Sequence, residues 1–189
     1  MKRIAVFCGA SNGNDPIYTE RAYEFGKYLA ENQYELIYGA GSTGMMGAVA
    51  NGVLEHNGIA IGIMPKFLAE REIAHDSLSE YHVVETMHER KQMMSDMADA
   101  FIMLPGGAGS LEEFFEIYTW SQIGLHHKPI GAFNIHHFFE PMESMIKHLI
   151  HTGFVNEDYR HLAVIEEDIP KLFASLKKSQ PVKIRDYQK

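Results

Sequence analysis

Residues 104–113, LPGGAGSLEE, place bare backbone, a hydroxyl and two carboxylates within a few positions of each other. Glycines at a strand end let backbone amides approach an anion, and the next helix adds its positive end. Beside such a phosphate cradle, an ionised Glu112 or Glu113 can bind ribose hydroxyls. It can also stabilise a cationic transition state and orient a water molecule. The stretch therefore indicates chemistry on a phosphate-bearing ligand.

A purely structural interpretation of the same stretch is also available. Ser110 could cap a helix over 111–124, with Glu113 at the capping-box position. A carboxylate in the first turn of that helix would stay ionised in the positive potential of the helix end. This interpretation leaves Glu112 and the three glycines of the turn unexplained.

Two other glycine-containing turns follow strand-like runs, CGAS at 8–11 and YGAGSTGMMG at 38–47. Ligands of open parallel sheets bind outside the carboxyl ends of the strands, where such turns meet. Three turns of this kind predict a phosphate site. The residues that we expect to contribute from the first two turns are Ser11, Gly41, Ser42 and Gly44.

Gly39, Gly41 and Gly44 match the G-x-G-x-x-G spacing of dinucleotide sites. The usual fingerprint opens the first strand, however, and an acidic residue follows about 20 residues on. Here the turn follows the second strand, and the next strand ends in Met64 and Pro65. The pattern thus favours a mononucleotide phosphate over a nicotinamide or flavin cofactor.

Arg90 and Lys91 lie on a predicted helix just before the strand that leads into the 105–110 turn. Adjacent helical residues point about 100° apart, so the two cannot share one face. A solvated surface pair is one interpretation, and bidentate binding of phosphate or carboxylate by the arginine is the other. The neighbouring histidines at 126–127 and 136–137 lack the spacing of a helical zinc site, so we predict no metal.

Strand-like and helix-like runs alternate along the chain, which predicts an α/β fold with a doubly wound, mostly parallel sheet flanked by helices. The predicted strands are 3–8, 35–39, 59–65, 81–85, 100–104, 129–133 and 162–165. The first predicted helix begins near Pro16. The other predicted helices cover 43–58, 87–99, 110–124, 138–151 and 168–178.

The composition predicts one domain over 1–180, followed by a polar tail at 181–189. A net charge of −8 argues against a protein that coats nucleic acid. Cys8 is the single cysteine, which fits a reducing compartment, and no apolar run is long enough to span a membrane. We therefore expect a cytoplasmic protein.

Four segments together resemble the Lonely Guy family of cytokinin riboside 5′-monophosphate phosphoribohydrolases. They are MHERK at 87–91, PGGAGSLEE at 105–113, GAGSTGMMG at 39–47 and CGAS at 8–11. The resemblance implies a Rossmann-like fold and an enzyme that releases the free base and ribose 5-phosphate from cytokinin riboside 5′-monophosphates. Many bacterial members of the family also cleave AMP. It also implies a homodimer or higher oligomer and no cofactor.

By position, Arg90 and Glu113 match the catalytic pair of the family. Ser110 stands where the family motif has threonine, and Ala108 replaces a residue that is often aromatic, which leaves the base preference open. The substrate-binding positions that the resemblance implies are Glu72, Lys91, Gly106, Gly107, Ala108, Gly109, Ser110, Leu111, Glu112 and Thr119.

Two other function classes stay open at the level of sequence. A non-catalytic nucleotide-binding module could use the same turns, although the presence of both Arg90 and Glu113 argues against it. A pyridoxal-phosphate decarboxylase would need a lysine for its Schiff base. Lys91 is the only lysine near the candidate site.

Overall fold

The computed structural model describes residues 1–71 and 74–184, and over these ranges strands and helices alternate. The strands are β1 (Arg3–Phe7), β2 (Glu35–Tyr38), β3 (Ala60–Pro65), β4 (Glu80–Val84), β5 (Ala100–Met103), β6 (Ile130–Phe133) and β7 (Ala163–Glu166). The helices are α1 (Ile17–Glu31), α2 (Gly44–Leu54), α3 (Lys66–Ala69), α4 (Met87–Met97), α5 (Ala108–Gln122), α6 (Glu140–His151) and α7 (Ile169–Lys178). The predicted α/β class is confirmed.

The described strands form one sheet in the order β4-β3-β2-β1-β5-β6-β7, and every neighbouring pair is parallel. The chain runs outward from β1 to β4, returns through α4, and runs outward again from β5. The strand order therefore reverses between β1 and β5, and the carboxyl ends of these two strands form the crevice where such folds bind ligands.

Apolar side chains fill both faces of the sheet. One layer packs under α1, α2 and α7, with Phe25 and Leu172 among its fully buried members. The other layer packs under α4, α5 and α6 and includes Phe114 and Phe139. Because both faces are covered, the central strands are apolar throughout, as a parallel sheet requires.

The predicted tail is described as far as residue 184. The Tyr159 hydroxyl donates to the Lys183 carbonyl at 3.0 Å, and Val182 packs against the second core layer. Residues 185–189 lie outside the described ranges. Within those ranges, no helix is both long and apolar enough to cross a membrane.

Candidate functional site

A cavity of about 550 Å³ opens at the carboxyl ends of β1 and β5. It lies where the loop at 8–14 meets the loop at 105–107 and the start of α5. The two loops are tied together, since the Gly9 amide donates to the Pro105 carbonyl at 3.1 Å. The residues of its lining that were predicted from the sequence are Ser11, Arg90, Gly106, Gly107, Gly109, Ser110, Glu112 and Glu113.

Helix α5 begins two residues earlier than the sequence predicts. Its first residue is Ala108, and Gly107 before it has extended backbone and makes no side-chain cap. Ser110 is therefore the third helical residue and Glu113 the sixth, so the predicted capping box is wrong. Because the first amides of a helix have no partner within it, those of α5 are left to bind a ligand in the cavity.

The glycines of this turn have two different tasks. A Cβ on Gly106 would lie 2.2 Å from the Ser110 hydroxyl and 2.7 Å from the Gly9 nitrogen, so this position is closely packed. A Cβ on Gly107 or Gly109 would meet no described atom within 4 Å. Both residues line the cavity, and their missing side chains leave space for a ligand to reach the backbone.

Arg90 and Glu113 face each other on the wall of the cavity. Arg90 Nη2 lies 3.4 Å from Glu113 Oε1, and the two side chains are only 11% and 10% exposed. Arg90 Nε is buried and has no hydrogen-bond partner among the described residues. Arg90 also borders the cavity, so its guanidinium, which has more donors than acceptors around it, can donate to an acceptor on a ligand.

The start of α4 fixes the position of Arg90. The Thr86 hydroxyl accepts from the Glu89 amide at 3.1 Å, and Glu89 Oε2 accepts from the Glu85 amide at 2.8 Å. Thr86 thus caps the start of α4 one turn before Arg90, and Glu89 binds the residue that precedes this cap. Gly39 makes room for the guanidinium, since a Cβ there would lie 2.3 Å from Arg90 Nη2.

Burial raises the pKa of Glu113 to about 7, although the neighbouring Arg90 lowers it. Glu112 raises it further, and Lys91 lowers it. The prediction of a carboxylate kept ionised by the helix end is therefore wrong, because Glu113 lies beyond the first turn and desolvation outweighs its cationic neighbours. A glutamate with this pKa can exchange a proton near neutral pH, as acid–base residues do.

Lys91 lies outside the cavity lining, on the side of α4 that faces α5. Its Nζ lies 2.6 Å from Glu112 Oε1 and 2.9 Å from Glu116 Oε1. Burial alone would lower the pKa of Lys91, but hydrogen bonds to both carboxylates raise it overall. The ammonium thus stays charged and ties α4 to α5, which sets the distance between Arg90 and Glu113.

The turn at 39–44 packs against other backbone and does not line the cavity. Gly41 bridges to Ala74, and Gly44 has a φ of +65°. A Cβ on Gly44 would lie 2.2 Å from the Ala10 carbonyl oxygen. This turn therefore supports the 8–11 turn from behind.

Several of the predicted site residues do not line the cavity. Thr119 is exposed on α5, about 14 Å along the helix from Ser110. Glu72 lies outside the described residues. Among the described ones, the predicted residues outside the lining are Gly41, Ser42, Gly44, Lys91, Ala108, Leu111 and Thr119.

The apolar part of the lining was not among the site residues predicted from the sequence. Met45, Met46 and Met87 border the cavity, although methionines on helices are more often core residues than ligand contacts. Tyr18 and Phe138 also line it, although they are 120 residues apart in the chain. The thiol of Cys8 is there too, and burial raises its pKa, so it stays protonated.

Comparison with known proteins places this site in a family. A family model described as "Possible lysine decarboxylase" matches residues 46–176. The cytokinin riboside 5′-monophosphate phosphoribohydrolase LOG2 of Arabidopsis thaliana is 41% identical over 96% of this chain and 85% of its own. A cytokinin riboside 5′-monophosphate phosphoribohydrolase of Rhodococcoides fascians is 40% identical over 93% of this chain and 89% of its own.

Solved structures share the fold at lower identity. The molybdenum cofactor carrier protein of Chlamydomonas reinhardtii superposes with a TM-score of 0.71 at 18% identity, over 94% of this chain and 96% of that one. The molybdenum cofactor binding protein of Rippkaea orientalis gives the same values. These likenesses support the Rossmann-like fold alone.

The fold and site thus define an α/β protein with a buried arginine–glutamate pair at the carboxyl edge of its parallel sheet. The chain belongs to the Lonely Guy family, whose relatives named above are phosphoribohydrolases, that is, N-glycosyl hydrolases that act on nucleotides. The resemblance found in the sequence is confirmed.

Proposed function

We propose that this protein hydrolyses the N-glycosidic bond of cytokinin riboside 5′-monophosphates and of AMP, giving the free base and ribose 5-phosphate. The observation that carries the proposal is the buried Arg90–Glu113 pair beside the open amino end of α5. The named relatives support the reaction and the cytokinin substrate. AMP is the simpler nucleotide with the same ribose and phosphate.

The 5′-phosphate binds where α5 begins. The amides of the first turn lack intrahelical partners, and the 15-residue helix adds a positive end. Gly107 and Gly109 keep the approach open, and Ser11 and Ser110 supply hydroxyls from the two adjoining turns. This binding fixes the ribose at a set distance from the second turn of α5, where Glu113 lies.

Glu113 acts on the ribose once the phosphate is held. As the bond between C1′ and the base nitrogen breaks, its electron pair leaves with the base, which takes up a proton. Positive charge develops on the ribose, as in glycoside hydrolysis, and the ionised Glu113 stabilises it. Glu113 also orients the water whose oxygen bonds to C1′ while its proton is released. Arg90 positions the substrate through its guanidinium at the cavity wall, and Glu112 accepts from a ribose hydroxyl.

The test is a comparison of three substrates. Purified protein is incubated with isopentenyladenosine 5′-monophosphate, AMP and adenosine, and free base is measured by chromatography. We expect base from the two nucleotides and far less from adenosine. Base released from adenosine as fast as from AMP would contradict the phosphate cradle, and no base from either nucleotide would contradict the proposed activity.

The decarboxylase named by the family model fits the site poorly. A lysine that forms a Schiff base must lose its proton, and burial beside another cation is the usual way to achieve this. Lys91 instead lies between two carboxylates that keep it protonated. Phosphoribohydrolysis therefore explains the site better than pyridoxal chemistry does.

A further inference from the structure

Three asparagines of the chain are followed directly by glycine, at 12–13, 51–52 and 57–58. An asparagine in this position is chemically labile, because glycine has no side chain to keep its backbone nitrogen away from the asparagine side-chain amide. That nitrogen attacks only after it loses its proton, and a hydrogen bond hinders this loss, as it hinders amide hydrogen exchange. The hydrogen bonding of each glycine amide therefore decides which pair reacts.

Two of the three pairs are protected. Gly52 lies within α2, where its amide belongs to the hydrogen-bond ladder of the helix. The side chain of Asn51 is held as well, since its Oδ1 accepts from His75 Nε2 at 2.8 Å. In the third pair, the Gly58 amide donates to the Val53 carbonyl at 2.9 Å. The structure thus holds both of these glycine nitrogens in hydrogen bonds.

The pair at 12–13 is open and lies at the cavity. Asn12 and Gly13 are exposed, and both line the cavity next to Ser11. The Asn12 side chain and the Gly13 amide have no hydrogen-bond partner among the residues that the structure describes. Gly13 has a φ of +79°, and a Cβ there would lie 2.8 Å from the Tyr18 ring. The backbone conformation and this close approach both require glycine at the position that makes Asn12 labile.

We propose that Asn12 is a deamidation site whose conversion weakens the binding of phosphate in the cavity. The deprotonated nitrogen of Gly13 bonds to the side-chain carbonyl carbon of Asn12. The bond from this carbon to the amide nitrogen breaks, and the nitrogen leaves as ammonia with the proton that Gly13 lost. Water then opens the cyclic imide at one of its two carbonyls, which leaves aspartate or isoaspartate at residue 12. The change consumes only water, and no atom is oxidised or reduced.

The effect on binding rests on the proposed function, which puts the 5′-phosphate beside Ser11 and the start of α5. Conversion replaces a neutral amide by a carboxylate in this part of the cavity, and like charges repel strongly where water is partly excluded. Isoaspartate also adds a carbon to the backbone of a loop that Gly9 ties to Pro105 at 3.1 Å. We expect AMP to bind at least about tenfold more weakly after conversion.

Peptide mass mapping tests the modification itself. The wild type is kept for days at mildly alkaline pH and raised temperature, and the fraction converted at each asparagine is followed over time. We expect Asn12 to convert well before Asn51 and Asn57. Conversion of Asn57 as fast as that of Asn12 would overturn the inference, and so would an unmodified Asn12.

Calorimetry with AMP tests the effect on binding, with Glu113→Gln in every sample so that AMP stays intact. Ageing should weaken binding, and Asn12→Asp should bind AMP as weakly before any ageing. Asn12→Gln should keep its starting affinity, because the longer glutamine side chain cyclises far more slowly. Asn12→Ser replaces it should that variant not fold. Asn57→Gln is the matched control and should lose affinity on ageing as the parent does.

The outcomes separate this inference from the proposed function. Unchanged affinity in aged protein with Asn12 converted would overturn the inference, and so would an equal loss in aged Asn12→Gln. Should the wild type bind AMP without cleaving it, the proposed hydrolysis fails while mapping and calorimetry still decide the role of Asn12. Fresh protein that does not bind AMP would contradict both.

Discussion

Arg90 Nη2 and Glu113 Oε1 lie 3.4 Å apart, although the two residues come from helices on either side of β5 in the chain. Both side chains are nearly buried, so their interaction is little screened by water. Burial nevertheless raises the pKa of Glu113 to about 7, because the cost of desolvation exceeds the help from Arg90. The charge on Glu113 therefore depends on pH in the physiological range.

This pKa predicts the pH dependence of activity. In our mechanism the ionised form of Glu113 stabilises the ribosyl cation, so kcat/KM for AMP should rise through about pH 7 and then level off. A matched profile of Glu113→Gln should lack this rise in its residual activity. Activity that falls as pH rises through 7 would show that the protonated form does the work.

The free energy of unfolding should also depend on the ionisation of Glu113, but it should fall as pH rises, whereas activity should increase. The pKa of Glu113 in the folded state lies above its ordinary value of 4.5, so the folded state binds more protons between these values. Its contribution is fully present below pH 4.5 and is lost as pH rises through about 7. The loss is on the order of 3 kcal/mol.

Denaturant unfolding at several pH values measures this loss. The free energy of unfolding of the wild type, minus that of Glu113→Gln, should fall across this range. A difference that does not change with pH would mean that Glu113 has an ordinary pKa in the folded protein.

Two glycines separate folding from binding. Gly109→Ala adds a Cβ in open space within α5, so it should raise the free energy of unfolding by about 0.5–1 kcal/mol. It should also weaken AMP binding about tenfold, since the Cβ occupies the cavity. Gly106→Ala should instead destabilise the fold, because its Cβ would meet the Gly9 nitrogen at 2.7 Å. Melting curves measure the stability of both variants, and calorimetry measures their AMP binding. Equal changes in stability for the two variants would refute this prediction.

Much of the fold follows from the sequence because alternating strands and helices leave few topologies. All seven of the strands that the structure describes were predicted, with ends within one or two residues. The order of the strands in the sheet was not predicted, since no local sequence pattern shows that β1 pairs with β5. The start of α5 was misplaced because a serine and a glutamate three residues apart also resemble a cap.

The site was predictable only where its residues cluster in sequence. Arg90 and Glu113 stand in recognisable motifs, and the structure brings them together. The turn that contains Gly39 was predicted to bind a ligand. In the structure Gly39 instead leaves space for the side chain of Arg90. Phe138 gave no signal at all, because its place at the cavity depends on packing against Tyr18, 120 residues earlier.

Self-association is a further prediction. Large apolar side chains remain exposed at several places, among them Leu125, Met145 and Phe154. The family resemblance adds the expectation of a homodimer. Sedimentation at micromolar concentration should therefore give at least twice the chain mass of 21.4 kDa. A stable species at the mass of one chain would refute the dimer.

The single-turnover rate of Glu113→Gln on AMP tests the central claim most directly, with the melting temperature taken on the same sample. The substitution keeps the shape of the side chain and removes its charge. We expect the rate to fall at least about a hundredfold, roughly 3 kcal/mol in the barrier, while the protein stays folded and still binds AMP through the turn at Gly107 and Ser110. A folded variant with a nearly unchanged rate would contradict the catalytic role of Glu113.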